Sequence, residues 1–352
     1  MKINHAILHV FDFISCVNVF ATEEVNLEDK SAKSYISKHA NKALNSLDNK
    51  HGVFYEDSMF AEELQAYAQG QRSFMDMSRK IADYLADELG RQQKADSTDL
   101  LIVDFEVPVN GNQGGEATDE EVDASFEGQA MRYFAILLLD SKQAYMHEVG
   151  RGDGGRNDIA RHFAILPSPS QKVQSYAVID LMTGGVTLSD KKRLIAGEER
   201  FLLADGLLQC SMEASSKEAF SAVADVVETV ANEYGANSAL ALSRAKAYAA
   251  EVAFDDGDFD LDELGREVFD GRSDMMGRFD EYAAEEHLSG KMKLDKAAVQ
   301  RFTKNHKIRT DTGIEITFPA EYGRNPDFIE FISEPDGRIS ISLKNIGYIE
   351  NR

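Results

Sequence analysis

The chain has no tryptophan, only two cysteines and six prolines, and no unbroken apolar stretch near 18 residues. Each shortage excludes something. A membrane-spanning helix needs the apolar run that is missing. The N-terminal "INHAILHVFDFISCVNVF" has polar breaks and lacks both a basic n-region and a small-residue cleavage pattern, so it reads as strands, not a signal peptide or membrane anchor. Cys16 and Cys210 lie too far apart in sequence for a clustered metal site. They read as small buried apolar residues, not a disulfide, in a reducing cytoplasmic setting. Positive charge is also short: 38 Lys and Arg stand against 61 Asp and Glu, a net charge of −23. A surface so anionic repels a phosphate backbone at long range, which leaves only a local basic face for nucleic acid, or a basic protein as partner.

What is present is a folded chain. Its 352 residues, 43% of them apolar, suffice for two domains or three small ones. A strand is expected over Ile3 to Phe13 and another over Val17 to Phe20, followed by a helix in "KSAKSYISKHANKAL". In "SFMDMSRKIADYLADELG", Phe74, Met77, Ile81, Tyr84 and Leu85 recur at three- and four-residue steps before Gly90, which predicts an amphipathic helix. "TDLLIVDFEVPV", "MRYFAILLLD", "QAYMHEV", "HFAILPS" and "QSYAVIDLM" read as strands, with a turn near Ser141 and a connection marked by Pro167 and Pro169. "GNQGGEATDEEVDA" reads as a loop.

From Leu194 the texture becomes Ala- and Leu-rich. "RFLLADGLLQC", "SKEAFSAVADVVETVANEYG" and "SALALSRAKAYAAEVA" are expected to be helices, with stripes Phe220–Val223–Val227–Val230 and Leu242–Ala245–Tyr248–Val252 that serve helix packing. Shorter helices are expected in "LDELGREVF", "GRFDEYAAEEHL" and "LDKAAVQRFTKNH". Strands then follow near Gly313–Phe318, Phe328–Ile332 and Ile339–Leu343, with Asp336-Gly337 as the last turn. The expected fold is α+β: an N-terminal mixed, largely antiparallel sheet with helices over 1–190, a helical region over 191–290, and a basic helix plus small antiparallel sheet over 291–352. Phe328, Phe331, Ile339 and Ile341 are expected to pack that last sheet on the preceding helices, so cutting near Gly313 should damage folding.

Chemistry is harder to find. The "GRGDGG" run, Gly150 to Gly155, lacks the Lys-Ser/Thr ending of a phosphate loop and reads as a surface turn. Asp256, Asp258, Asp260 and Glu267 imitate part of a calcium loop, but its sixth position is Leu261 where the turn demands Gly. An acidic loop capping the next helix is the better reading. On a strand His5 and His9 are roughly 13 Å apart, too far to share a metal or proton. His147, His162, His287 and His306 show no local ligand or triad pattern, and no motif supplies an activated nucleophile. An enzyme would need a site assembled from scattered histidines and carboxylates. No cofactor is implied.

One stretch stands against the acidic background. From Lys291 to Arg309 there are seven basic residues and one Asp: Lys291, Lys293, Lys296, Arg301, Lys304, Lys307 and Arg309. Arg301 and Lys304, three apart on a helix, can face one phosphate strand and attract it without regard to sequence. The competing reading is a solvated face that neutralises Asp280, Glu281, Glu285 and Glu286, or a partner subunit. No helix-turn-helix is demonstrable, and no aromatic platform for single strands stands out.

The order of segments adds one more pointer. The pieces "AILH", "FMDMSRKIADYLADELG", "YFAILLLDSKQAYMHEV", "SYAVIDLM", "GEERFLLADGLL" and the closing "GIEITFPAEYG…FIEFISEPDGRISISLKNI" resemble the 37-kDa nucleoid-associated protein family of bacteria over nearly the whole chain. The resemblance implies a non-catalytic cytoplasmic protein located at the nucleoid and binding double-stranded DNA. It can be squared with the acidity in two ways. A local basic patch contacts duplex phosphates, doubled in a homodimer, or acidic surfaces bind a basic DNA-associated protein and the chain reaches DNA as an adaptor.

Overall fold

The computed structural model describes residues 1–350 apart from 15, 94–96, 109–129, 150–156, 256, 289, 293, 320–321, 323–324 and 334–337. The Gly150–Gly155 run, the 111–124 loop and the Asp336-Gly337 turn therefore lie outside the described residues. The chain divides into an N-terminal unit, Met1–Glu213, and a C-terminal unit, Ala214–Arg352.

The N-terminal unit contains β1 (Lys2–Asp12), β2 (Val17–Val19), α1 (Lys30–Leu44), β3 (Lys50–Gly52), α2 (Met59–Ala68), α3 (Phe74–Gly90) and β4 (Thr98–Pro108). It continues with β5 (Ala130–Asp140), β6 (Lys142–Val149), β7 (Asn157–Ile165), β8 (Ser175–Asp180), β9 (Val186–Ser189), β10 (Lys192–Ile195), β11 (Glu198–Phe201) and a π-helical turn at Leu202–Leu208. Seven strands form one sheet in the order β2-β1-β4-β5-β8-β9-β3, antiparallel throughout.

Its central strands are apolar at successive positions because both faces are covered. Leu100, Ile102, Phe134, Ile136 and Leu138 point to a core shared with α2, α3 and the π turn, whereas Leu101, Val103, Ala135, Leu137 and Leu139 point to a second core with Ile36, Ala40 and Ala43 of α1. The period-2 alternation of each strand thus feeds two layers of helix. Helix α3 presents Phe74, Met77, Ile81 and Leu85 to the first core and starts at Ser73, whose hydroxyl accepts from Asp76 N.

"RFLLADGLLQC" is not an α-helix. β10 and β11 pair as a hairpin across Ala196 and Gly197, which have φ of 52° and 92°, and a π-helical turn follows. The buried Asp190 carboxylate accepts from Leu203 N at 2.7 Å at the start of that turn. The apolar content of the segment reflects its burial against α3, not helical period. Cys210 is buried and free as expected, and burial pushes its thiol up to about 12; Cys16, also free, is exposed at a φ of 55° instead of buried.

The C-terminal unit contains α4 (Ser216–Glu233), α5 (Ser238–Phe254), β12 (Phe259–Asp260), α6 (Leu261–Val268), α7 (Ser273–Glu285), β13 (Lys291–Met292), α8 (Lys296–Thr303) and β14 (Asn305–Arg309). It closes with β15 (Glu315–Pro319), β16 (Ile329–Ser333) and β17 (Ile339–Leu343). Phe220, Val223, Val227, Val230, Ala245 and Tyr248 join Phe259, Leu264, Phe279 and Val299 in a single core. α4 opens with a capping box between Ser215 and Glu218. β14–β15 and β16–β17 are separate two-stranded antiparallel ribbons. Of the residues expected to seat the last ribbon, Ile339 is exposed, whereas Phe328, Phe331 and Ile341 are half-buried and the Phe331 ring lies 6.4 Å from that of Phe318. The buried apolar side chains there are Phe318 and Ile329.

Candidate nucleic-acid interface

The basic run is divided among three elements, β13, α8 and β14. Lys291 on β13 is tied to Asp260 at 3.3 Å. Lys293 lies outside the described residues. Lys296, the first residue of α8, donates to the Phe254 carbonyl at 3.1 Å and sits over that ring, so it helps close the C-terminal end of α5. These ties belong to folding.

The remaining four residues lie together in sequence and are all exposed. α8 ends at Thr303, earlier than "LDKAAVQRFTKNH" implies, because Asn305–Arg309 pairs with β15 as a strand. Arg301 stands in the last turn of α8 and Lys304 is its cap, where positive charge also complements the helix C-terminus. On β14 the alternation turns His306 and Ile308 inward and Lys307 and Arg309 outward, roughly 7 Å apart along the strand. Lys307 pairs with Glu315 at 2.8 Å. Among the described residues Arg301, Lys304 and Arg309 have no ion pair. The helix-end pair keeps the three-residue spacing expected for it; the strand pair acquires its common face from β14, which the sequence did not show. The neutralisation reading accounts for only part of the run, since Glu281 pairs with Arg278 at 2.8 Å, not with these residues.

Beneath this face lies His306, 1% exposed, with neither ring nitrogen hydrogen-bonded and its ring 5.3 Å from that of Phe318. Burial, then the nearby Lys246 of α5, lowers its pKa to about 4. The unfolded chain binds this proton near 6.5, so stability is complete above that pH and is lost as pH falls toward 4, by roughly 3 kcal/mol in all. Protection of the β14 amides, corrected for the intrinsic pH dependence of exchange, is expected to drop over this window, and His306→Leu to flatten the drop. An equally steep drop in that variant would place its cause elsewhere. His9 is likewise lowered to about 4 by burial, but Asp99, raised to about 6 by burial and then by Asp12, opposes it within the N-terminal unit.

Several of the other groups considered for chemistry are held in structural roles. Asp260 caps α6 by accepting from Asp262 N at 2.9 Å and Glu263 N at 3.2 Å, as the capping reading of the acidic loop requires; Asp256 lies outside the described residues. His5 faces Glu24 at 3.0 Å, whereas His9 is buried and accepts from Ala21 N, so the two share no ligand. His287 is exposed at a φ of 55°. The side chains of His147 and His162 lie outside the described residues.

A cavity of about 390 Å³ beside His5 is lined by Tyr67, Arg72, Phe74 and Arg132. Its charged floor is already satisfied. The fully buried Asp104 carboxylate accepts from Asn4 at 2.9 Å, from Tyr67 at 2.5 Å, and from Arg132 at 2.6 and 3.0 Å. Burial and that hydrogen bond push the Tyr67 hydroxyl far up, which leaves it a donor and no base. Among the described residues no three His, Cys, Asp or Glu gather closely enough to hold a metal ion, and no helix is long and apolar enough to cross a membrane.

Sequence order, sheet and helices define an α+β protein that carries an exposed basic strand in its C-terminal unit. The family model described as nucleoid-associated protein YejK matches residues 7–351, and the chain belongs to that family. No curated protein matches the chain.

Proposed function

We propose that the protein is a non-catalytic component of the cytoplasmic nucleoid that binds double-stranded DNA directly and without sequence preference, through Arg301, Lys304, Lys307 and Arg309. The observation that carries this reading is the exposure of four cations on one helix end and strand, three of them free of ion pairs among the described residues, in a chain of net charge −23. Their chemistry is that of phosphate attraction, and a family of nucleoid-associated proteins gives it a setting. A homodimer would present two such faces and double the phosphates neutralised.

The test is binding of the nuclease-treated protein to a short duplex across a salt series. Each phosphate neutralised contributes about 0.9 to the slope of log affinity against log salt, so replacing Lys304, Lys307 and Arg309 with Glu should flatten it by about 3. Affinity at low salt should fall by about 100-fold or more in a chain that stays folded, with a slightly lower melting midpoint because Lys307 pairs with Glu315 and Arg309 lies across from it. No binding by the parent protein at low salt would reject direct contact. It would favour the acidic surface as the docking face for a basic DNA-associated protein, the role that the net charge of −23 supports.

A further inference from the structure

The strongest unassigned feature lies in the N-terminal unit, on α1. Between Lys30 and Leu44 the chain carries four lysines and no Asp or Glu. Ile36, His39, Ala40 and Ala43 are buried, which fixes the orientation of the helix. At 100° per residue the opposite, outward side is then Lys30, Ser34, Ser37, Lys38 and Asn41, with Lys42 at its edge. Every side chain on that face is a hydrogen-bond donor, and none is anionic. These are the residue types that contact nucleic-acid backbone: ammonium groups for charge, hydroxyls and amides for phosphate oxygens.

The surroundings keep the face open. Lys42 donates to the carbonyls of Pro169, Ser170 and Gln171 at 3.2, 2.8 and 2.8 Å, which anchors the connection before β8 against the helix. That anchoring leaves a cavity of about 390 Å³ lined by Lys30, Ser31, Ser34, Tyr35, Lys38 and Pro169. Two nearby carboxylates are engaged: Asp29 caps α1 through Ser31 N at 2.8 Å, and Asp48 pairs with Lys172 at 2.7 Å. Among the described residues Lys30, Lys33 and Lys38 have no ion pair. Lys30 and Lys38 are about 12 Å apart along the axis, close to the width of the major groove of a duplex.

We propose that this face of α1 is a second, sequence-independent contact for the phosphate backbone of duplex DNA, carried by a different unit from the Arg301–Arg309 face. The inference rests on the DNA-binding reading above. It also bears on the acidity problem, because a protein that must overcome long-range repulsion gains from two cationic faces more than from one.

The experiment uses the full chain and the same short duplex. Lys30→Gln combined with Lys38→Gln should flatten the salt slope by about 2 and lower affinity at low salt by about 10-fold, with an unchanged melting transition, since both side chains are exposed. Lys30→Arg with Lys38→Arg keeps the charge and should retain binding, which separates contact from folding damage. If the parent binds DNA and the glutamine variant keeps the parent slope, the α1 proposal is overturned while direct binding stands. A parent that binds no DNA overturns both readings. Binding of the parent to phosphatidylglycerol vesicles but not duplex, lost in the glutamine variant, also overturns this one.

Discussion

Replacing Arg132 with Met is expected to cost the N-terminal unit about 3 kcal/mol, because it strands the carboxylate of Asp104 in the interior. Asp104 sits on β4 with no solvent exposure, and Arg132 reaches it from the neighbouring strand β5 through Nε and a terminal nitrogen. Removing one member of such a pair leaves a charge with neither water nor counter-charge. The remaining donors, Tyr67 and Asn4, are neutral and compensate only part of the loss. Adding Asp104→Asn to Arg132→Met removes the charge and should recover more than half of the deficit in urea unfolding. Tyr67→Phe, which deletes one donor and leaves the ion pair, should cost about 1 kcal/mol. If the double variant proves less stable than Arg132→Met alone, the stranded-charge account fails and the cost belongs to lost packing of the arginine stem. The comparison also bears on the cavity beside His5. A network whose polar groups are spent on one another serves the sheet, so these variants should leave DNA binding unchanged.

How much of this was legible depends on whether a residue's role is local. Helix α3 could be read at once because its apolar spacing and its end at Gly90 are both properties of the helix itself. β4 and β5 could be read because burial on two faces leaves a continuous apolar run. The π-helical turn at Leu202–Leu208 could not, since its leucines serve a core built from elements distant in sequence and follow no period of their own. β14 was hidden for the opposite reason. "NHKIR" carries two cations and only His306 and Ile308 facing inward, so its alternation looks polar until the pairing with β15 is known.

The candidate site was legible as charge and illegible as availability. The run from Lys291 to Arg309 is plain in the sequence, but Lys291 is tied to Asp260, 31 positions earlier, and the exposed Lys307 is shared with the cross-strand Glu315. The lysines of α1 are equally visible, as four cations without an acid in one helix. What marks them as open is that Asp29 and Asp48 are engaged elsewhere, a fact of capping and of tertiary pairing that no local pattern encodes.

The second large effect is expected at Phe318, which is buried where the anticipated Phe328, Phe331 and Ile341 of the terminal ribbons are half-buried. On β15 it lies directly across from His306, with Phe331 of the next ribbon 6.4 Å away between ring centres. Phe318→Ala should cost about 3 kcal/mol by emptying that space. It should also admit water to His306, and there the prediction becomes specific. In the parent, His306 is held neutral down to about 4 and stability falls with pH below 6.5. A hydrated His306 titrates near its unfolded value and contributes no such loss, so the gap between parent and variant should be widest near pH 7.5 and narrow by about two-thirds near pH 5. Deletion of everything after Gly313 removes Phe318 together with the whole hydrogen-bonding partner of β14. It should destabilise the C-terminal unit by at least as much as Phe318→Ala and abolish protection of the β14 amides. The helices α4 to α7 have a core of their own and should keep their circular dichroism at low temperature. If the truncated chain melts with the parent's midpoint, or if Phe318→Ala costs the same at both pH values, Phe318 does not seal His306 and the ribbons contribute nothing to the helical core.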